Sequence, residues 1–391
     1  MRVRIVHFIE CMNPDHGGPP AIVARLAAAQ ARLDHDVTLL TTFDPPEAAA
    51  AIERVFGHVD HFGSVRQRCV NARSIPSRFG PGAYRAMAAT LDQADVVHIH
   101  AIWDPLLKRG MQHCHRAGIP LCVTPHGLLT RYSMSLRTWK KRLALAAGWN
   151  SALNGANLLH CLTEGEGADA RALGLTSPRV VLPNAVDPQE LSQVAGALAA
   201  GQVLPAHASR RFILSLGRLH ETKGLDILCD AFAIVAAARP DVDLVIAGPD
   251  FGYEARLRSH VERLGLARRV HVVGPVFGAA KVALLRTALC LCQPSRQEGF
   301  SMTILEALAC GVPAVISTEC HFPEVQSAGA GFVVPLDAGA TALSLLALLN
   351  DETVRSAAAA AALRLVLTRY TVDRMAKSLI ENYVAVGARA R

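Results

Sequence analysis

The sequence predicts an α/β protein made of two doubly wound domains, each with a parallel, Rossmann-like sheet covered by helices. Short runs rich in Val, Ile and Leu alternate with amphipathic helical stretches along the chain. These runs are apolar throughout, as is typical of parallel strands that are buried on both faces. The alternation lapses once, around Asp187–Ser209, and 391 residues are too many for a single core. We therefore expect two domains that face each other across a cleft, a common place for a ligand.

The first domain is predicted over residues 1–187. Its strands are expected at Arg4–Ile9, Asp36–Thr42, Asp95–His100, Leu121–Pro125, Asn157–Leu162 and Val180–Leu182. Its helices include Pro20–Leu33, Gly82–Gln93 and Leu136–Leu153. The opening run Arg4–Ile9 is too short for the apolar part of a signal peptide and is therefore interpreted as the first strand.

A linker rich in Ala, Gly and Gln is predicted over residues 188–209, and a second domain over residues 210–370. The strands of the second domain are expected at Arg211–Leu216, Asp243–Ala247, Val270–Val273, Leu289–Cys292, Pro313–Ser317 and Phe332–Val334. The chain is predicted to end in the helices Ala338–Asn350, Glu352–Thr368 and Thr371–Val386.

Composition indicates a globular protein from a reducing compartment. Half of the residues are apolar, and the net charge of +7 lies mainly in the first half of the chain. The ten cysteines show neither a zinc-binding spacing nor a disulfide framework. No apolar stretch approaches the ~20 residues that span a bilayer. We expect a cytoplasmic protein, either soluble or peripheral on the inner face of the membrane.

Two glutamates eight residues apart, Glu298 and Glu306, flank a predicted loop-to-helix junction directly after the strand Leu289–Cys292. Such a spacing is common by chance, so the strand-turn-helix context is what favours a site. Open α/β sheets bind ligands at the carboxyl ends of their strands. The free N–H groups of a helix start suit a phosphate, and two carboxylates can accept hydrogen bonds from sugar hydroxyls. The combination suits a nucleotide-sugar.

A second segment, Ser215–Gly224, places two basic residues at the end of another predicted strand. Arg218 follows the strand at once, and Lys223 precedes the next helix. Arginine can bind a diphosphate through two hydrogen bonds, while lysine acts as a point charge. Two solvated surface cations are the alternative, and the neighbouring glutamate unit disfavours it.

Together, Ser215–Gly224 and the stretch from Glu298 to Pro313 resemble family-4 (group 1) retaining glycosyltransferases of the GT-B fold. Shorter matching pieces are Gly17-Gly18, Asp95–His100, Thr124–Gly127, Leu182–Asp187 and Val245–Gly248. The second half of the chain matches best, whereas the first half, which holds the acceptor in such enzymes, matches only in patches. The resemblance also implies that residues 371–391 form a helix packing back on the first domain.

The resemblance implies a role for each residue of the donor site. Arg218 and Lys223 would neutralise the diphosphate, Glu298 would bind the transferred sugar, and Glu306 would bind the ribose. His126 would lie near the reacting carbon, so that the implied catalytic residues are His126, Arg218, Lys223 and Glu298. Further donor contacts are implied for Gly17, Gly18, Gly217, Val276, Gly299, Phe300, Ser301 and Met302, largely through the backbone.

The implied reaction moves a sugar, with retention, from a nucleoside diphosphate-sugar to a hydroxyl acceptor in bacterial polysaccharide or lipid-linked glycan synthesis. No cofactor and no obligatory metal are expected. A sugar-nucleotide epimerase, a sugar phosphorylase and a catalytically silent sugar-nucleotide-binding partner remain alternatives.

Histidine and aspartate pairs raise the question of a metal site. His98 and His100 alternate along a predicted strand, but no third ligand stands at a typical spacing, which favours a structural or acceptor-side role. Asp241 and Asp243 enter a strand at the end of the sheet opposite the expected ligands, so we interpret them as structural.

Two basic features suggest an anionic membrane surface as a partner. No acid occurs from His61 to Leu91, where Arg66, Arg68, Arg73, Arg78 and Arg85 lie. The stretch Leu136–Leu145 sets Arg137, Lys140, Lys141 and Arg142 beside Trp139 and several leucines. Such a helix can lie in a membrane interface, or it can be an ordinary covering helix with solvated charges. Nucleic acid is disfavoured because no aromatic residues interleave these charges.

Overall fold

A computed structural model describes residues 2–13, 18–42, 52, 56–72, 78–136, 138–194, 204 and 211–388. These residues divide into two compact units. Unit 1 contains the described residues up to Ala185 together with those from Val372 onward, and unit 2 contains those of Val186–Thr371. Most of the predicted linker lies outside the described residues, but its first part is the helix Pro188–Val194. Among the described residues, no helix is long and apolar enough to cross a membrane.

Unit 1 contains a seven-stranded, wholly parallel sheet in the order β3-β2-β1-β4-β5-β6-β7. The strands are β1 Arg4–Ile9, β2 Asp36–Thr41, β3 Arg66–Cys69, β4 Val96–His100, β5 Leu121–Thr124, β6 Leu158–Cys161 and β7 Arg179–Val181. The sequence interpretation missed β3. That strand is a polar edge strand, Arg-Gln-Arg-Cys, with no fully buried residue, so it lacks the apolar run that identified the others.

The helices of unit 1 cover this sheet. They are α1 Gly18–Arg32, α2 Pro81–Leu91, α3 Pro105–Ala117, α4 Arg131–Ser135, α5 Thr138–Ala144, α6 Asn150–Asn154, α7 Glu164–Ala172 and α16 Val372–Ala385. Local signals account for several of their ends. The Asp104 side chain caps α3, which ends at the left-handed Gly118, and Thr163 caps α7. The C-terminal helix α16 packs against α1, the first helix of the chain.

The prediction of one continuous helix over Leu136–Leu153 was wrong. A π-helical turn at Leu145–Trp149 separates α5 from α6, and Ala147 and Gly148 leave helical geometry. Gly148 has φ of 94°, a value that residues with a Cβ rarely adopt. A glycine inside an apolar pattern therefore marked a break that the pattern itself concealed.

Unit 2 contains a six-stranded parallel sheet in the order β10-β9-β8-β11-β12-β13. The strands are β8 Phe212–Leu216, β9 Asp243–Ala247, β10 Val270–Gly274, β11 Cys290–Gln293, β12 Ala314–Ser317 and β13 Gly331–Val334. The helices are α8 Pro188–Val194, α9 Leu225–Ala238, α10 Glu254–Arg263, α11 Gly278–Thr287, α12 Met302–Ala309, α13 Glu324–Ser327, α14 Ala338–Asn350 and α15 Glu352–Arg369. Apolar clusters cover both faces of the sheet, which explains the apolar strands.

Both sheets reverse their strand order at one point. The reversal lies between β1 and β4 in unit 1, and between β8 and β11 in unit 2. The loops that leave the carboxyl ends of these strands diverge to opposite faces of the sheet and leave a crevice, the usual ligand position in doubly wound folds. The predicted pair of doubly wound, parallel-sheet domains is confirmed.

Candidate active site

The candidate donor site of unit 2 is built on the two loops that follow β8 and β11. The loops are joined by Arg296, whose backbone N–H donates to the Thr222 carbonyl at 2.7 Å. Its guanidinium also donates to both oxygens of Asp226, at 2.8 and 2.7 Å. This guanidinium holds the pKa of the Asp226 carboxyl below its usual value. The paired charges therefore fix the loop of β11 against the start of α9.

A single glycine allows the same two loops to touch. Gly224 has φ of 62°, and a Cβ at this position would lie 2.0 Å from the carbonyl oxygen of Pro294. No other residue fits such a gap without moving the loop, so the approach of Lys223 to the loop of β11 depends on this glycine.

Glu298 lies at the centre of this site. Its Oε1 atom accepts hydrogen bonds from Lys223 Nζ at 2.5 Å, Gln293 Nε2 at 2.6 Å and Ser295 Oγ at 2.9 Å. The side chains of Lys223 and Glu298 are only 15% and 12% exposed, so the ion pair is partly shielded from water. No described residue donates to Oε2, which leaves this oxygen as an acceptor for a ligand.

Glu306 lies on α12, where it is 5% exposed. Its carboxylate accepts a hydrogen bond from Lys281 Nζ of α11 at 2.8 Å. Helix α12 starts after Ser301, whose side chain does not cap it and instead accepts a hydrogen bond from Gln293 Nε2 at 3.3 Å. The first-turn N–H groups of α12 thus remain open toward an anion.

The other predicted donor residues of unit 2 lie near these loops. Arg218 is exposed and stacks on Phe251, with 5.1 Å between guanidinium carbon and ring centroid, and has no carboxylate partner among the described residues. The Lys223 side chain lies beside Gly217. Phe300 is half-buried, and its ring packs against Phe322 with 5.1 Å between the ring centroids. The remaining predicted contacts, Val276, Gly299 and Met302, are half-buried.

His126 of unit 1 lies in a constrained turn after β5. It has φ of 54°, and the next residue, Gly127, has φ of 79°. The buried carboxylate of Glu166 braces this turn by accepting from the Gly127 N–H at 2.6 Å and the Leu162 N–H at 2.7 Å. Burial raises the pKa of the Glu166 carboxyl, and the two backbone donors oppose this effect. The braced turn fixes the position of the imidazole.

His126 is the outer member of a cluster of five histidines in unit 1, which also contains His7, His98, His100 and His160. The sequence interpretation found no third metal ligand beside His98 and His100, but the structure places His7 there. One nitrogen from each of the three lies within 4.8 Å of the others. The signal was missed because His7 belongs to β1 and reaches His98 only through strand pairing. All six ring nitrogens of the three already have hydrogen-bond partners, which describes a polar cluster rather than an open ligand set.

Several other predicted features acquire a defined position. Gly17, Arg73 and Arg137 lie outside the described residues, and Gly18 is the first residue of α1. Two arginines of the basic segment have acidic partners: Arg66 binds Asp36, and Arg78 binds both Glu10 and Asp104. The two aspartates that the sequence analysis interpreted as structural also have basic partners: Asp241 binds Arg239, and Asp243 binds Arg269.

The sequence analysis did not identify five residues that support the donor site of unit 2 or the turn of His126: Glu166, Lys281, Gln293, Ser295 and Arg296. Each acts through a partner that the fold brings near, and Lys281 and Glu306 stand 25 residues apart. Gln293 and Ser295 could have been found, because they continue the polar strand end that identified Glu298.

The fold and the match to known families define the class of this protein. Two parallel-sheet units of this kind form the GT-B fold of glycosyltransferases. The crystal structure of HepE from Anabaena in complex with UDP and glucose has this fold, with a TM-score of 0.77 and 19% sequence identity over 98% of this chain and 100% of that chain. Residues 17–185 match the glycosyl transferase 4-like domain, and residues 202–364 match the glycosyl transferases group 1. The chain belongs to the group 1 glycosyltransferase family.

Two relatives are similar over nearly their whole length. The phosphatidyl-myo-inositol mannosyltransferase of Mycobacterium leprae is 29% identical over 95% of this chain and 93% of its own. The GDP-mannose:cellobiosyl-diphosphopolyprenol alpha-mannosyltransferase of Xanthomonas oryzae pv. oryzae is 27% identical over 97% of this chain and 96% of its own. The predicted family and fold are thereby confirmed, as is glycosyl transfer as the activity.

Proposed function

We propose that this protein transfers a sugar, with retention of configuration, from a nucleoside diphosphate-sugar to a hydroxyl of a glycan or lipid-linked acceptor. The observation that carries the proposal is the cluster in which Glu298 Oε1 accepts from Lys223, Gln293 and Ser295. This cluster leaves one carboxylate oxygen for sugar hydroxyls and a lysine beside it for a phosphate. Bacterial polysaccharide or lipid-linked glycan synthesis is the proposed setting, in line with the names of the two relatives.

In this proposal the donor is bound by unit 2. Arg218 and Lys223 bind the diphosphate, and the N–H groups around Ser301 and Met302 hold the phosphate or the sugar. Glu306 accepts from the ribose hydroxyls, while the hydrogen bond from Lys281 orients its carboxylate. Gly217 and Gly299 allow the backbone to approach the donor closely, and the base lies against the turn before Val276.

The proposed chemistry needs neither a cofactor nor an obligatory metal. The bond between the anomeric carbon and the phosphate oxygen breaks, and the acceptor oxygen bonds to the same face of that carbon. The acceptor proton passes to the departing phosphate oxygen. Arg218 and Lys223 stabilise the negative charge that develops on the diphosphate, which is the main catalytic effect expected of the protein. His126 is proposed to lie near the reacting carbon.

Mannose from GDP-mannose is the proposed donor group, because both relatives are named mannosyltransferases and one name includes GDP-mannose. A thermal-shift panel of GDP-mannose, UDP-glucose, UDP-galactose and ADP-glucose tests this choice. A ligand at 100 times its Kd stabilises the protein by about 2.7 kcal/mol. GDP-mannose should give the largest shift, and Arg218→Ala should abolish it.

Arg268→Ala is the matched control for the donor panel, since Arg268 is an exposed arginine at the opposite, amino end of the same sheet. It should leave the shift intact. Equal shifts in Arg218→Ala and the wild type would mean that the donor site is misplaced. Product analysis with and without an acceptor then separates transfer from epimerisation or phosphorolysis, and binding without turnover would indicate a silent binding partner.

For the acceptor, we propose a lipid-linked molecule that is reached at an anionic membrane surface on the inner face of the membrane. No residue of α5 is buried, and Trp139 and Leu143 of this helix are 67% and 62% exposed beside Lys140 and Arg142. Next to α5 lies a cavity of about 310 Å³ that is lined by Arg131 and Arg142, by one acid, Asp169, and by apolar and hydroxyl side chains. Arginines suit a lipid phosphate, and the apolar lining suits the adjoining chain.

A further inference from the structure

A path of buried polar groups runs through unit 1 from the carbonyl of Leu182 to the ring of His126, and neighbouring groups are hydrogen-bonded at every step except between Tyr383 and Gln30. Burial lowers the pKa of His7 and of His160 to about 4 and that of His98 and His100 far below the usual value. These rings are therefore neutral near pH 7. A neutral imidazole has one N–H donor and one acceptor nitrogen, so each bond in the path has a direction.

The Leu182 carbonyl fixes the direction of the first part of the path, because it can only accept. His160 Nε2, at 2.7 Å, must donate to it, and His160 Nδ1 must then accept from the Thr124 hydroxyl at 2.8 Å. The Thr124 oxygen in turn accepts from His98 Nε2 at 2.6 Å. His98 Nδ1 is left to accept from the hydroxyl of Tyr383, also at 2.6 Å.

Gln30 passes this direction to the second part of the path. Tyr383 has given its proton to His98, so its oxygen can only accept, and the Gln30 amide must turn its NH₂ group toward it. That group has no hydrogen-bond partner among the described residues, although Gln30 opposes the burial that raises the pKa of the Tyr383 hydroxyl. The orientation of the amide rests on its other end, where Gln30 Oε1 faces His7 Nε2 at 2.6 Å and accepts from it.

The remaining bonds follow from this orientation. His7 Nδ1 accepts from His100 Nε2 at 2.9 Å, and His100 Nδ1 accepts from His126 Nε2 at 3.1 Å. We propose that this path fixes His126 as the Nε2–H tautomer, so that its Nδ1 atom is an acceptor for a hydroxyl of the bound substrate. Gln30 and Tyr383 are then positioning residues. No described residue donates to Nδ1. The inference deepens the proposed function and rests on its placement of His126 near the reacting carbon.

The direct test is the tautomer itself, which is measured in the wild-type protein with ring-¹⁵N-labelled histidine. Long-range ¹H–¹⁵N correlation distinguishes Nε2–H from Nδ1–H rings, and the spectrum of His126→Gln identifies the His126 signals among the 16 histidines. We expect the Nε2–H pattern at pH 7 for His126. An Nδ1–H ring or an imidazolium at His126 would overturn the inference, whatever the activity of the protein.

Gln30→Met tests the positioning role, because methionine has a similar volume but no acceptor oxygen for His7. We expect signals of both His126 tautomers and a kcat/KM for glycosyl transfer that is about two- to tenfold lower, the effect of one neutral hydrogen bond. Tyr383→Phe should act in the same direction. The Kd of GDP alone, which is bound by unit 2, should not change. An unaltered tautomer in both variants contradicts the proposal.

Thr41→Val is the matched control. Thr41 lies in the neighbouring strand β2, and its hydroxyl donates to the Glu10 carbonyl, so the change removes one hydrogen bond and leaves the path intact. Its tautomer and kcat/KM should equal those of the wild type. If His126→Gln transfers sugar as fast as the wild type, the proposed role of His126 fails. The tautomer measurement would still decide the direction of the path, so the two failures can be told apart.

Discussion

Gly224 shows how strongly one residue controls the geometry of the donor site. We expect Gly224→Ala to prevent donor binding, because the new Cβ would lie 2.0 Å from the Pro294 carbonyl and force the loop of Lys223 away from Glu298. Left-handed backbone alone costs an alanine about 1–2 kcal/mol. Isothermal titration with GDP-mannose measures the loss of affinity, which should exceed tenfold.

The control for Gly224→Ala is Gly265→Ala. Gly265 has a similar φ of 70°, but a Cβ there would meet nothing within 4 Å. This variant should lose a comparable amount of stability from backbone strain and keep the donor affinity of the wild type. Equal affinities in the two variants would show that the contact between the two loops is not needed for the site.

Residue identity could be predicted from the sequence more reliably than residue pairing. Glu298 and Lys223 were assigned to one site because each follows a strand, but nothing in the sequence indicates that they bind each other at 2.5 Å. That contact forms because β8 and β11 are neighbours in the sheet, although they are not consecutive strands in the chain. The pairing of Lys281 with Glu306 was missed for the same reason.

At the scale of elements, apolar periodicity identified the buried strands and missed the exposed features. The edge strand β3 lacks an apolar run, and the break at Gly148 lies within an apolar stretch. Both depend on tertiary context. A polar strand forms because a neighbour offers hydrogen bonds, and a helix bends where a glycine can adopt positive φ.

Helix α5 gives a prediction at this scale. The purified protein should bind vesicles that contain phosphatidylglycerol at low salt, because each basic residue near an anionic surface contributes about 1 kcal/mol and Trp139 and Leu143 can enter the interface. The double variant Trp139→Gln, Leu143→Gln should bind more weakly in a sedimentation assay. Its melting temperature should not fall, because no residue of α5 is buried.

Leu343→Gln is the matched control for the vesicle assay. Leu343 is 71% exposed on α14 of unit 2, so it tests whether loss of any exposed leucine reduces binding. It should sediment with vesicles as the wild type does. A wild-type protein that stays in the supernatant at low salt would contradict the membrane proposal and leave the donor proposal unaffected.

At the scale of the whole molecule, unit 1 should lose stability in acid. Burial lowers the pKa of His7 and His160 in unit 1 to about 4, whereas an unfolded chain has histidines near 6.5. Between these values the unfolded state binds more protons. The contribution of each such histidine to the free energy of unfolding of unit 1 is therefore fully present above pH 6.5. It falls by about 1.4 kcal/mol per pH unit as the pH drops toward 4.

Urea unfolding monitored by tryptophan fluorescence measures this effect, because all three tryptophans, Trp103, Trp139 and Trp149, belong to unit 1. The midpoint should fall markedly between pH 7 and pH 5. His7→Gln, which cannot be protonated, should reduce the pH dependence, whereas the same change at the exposed His115 should not. A midpoint that does not change with pH would mean that the buried histidines take up protons in the folded protein as readily as in the unfolded chain.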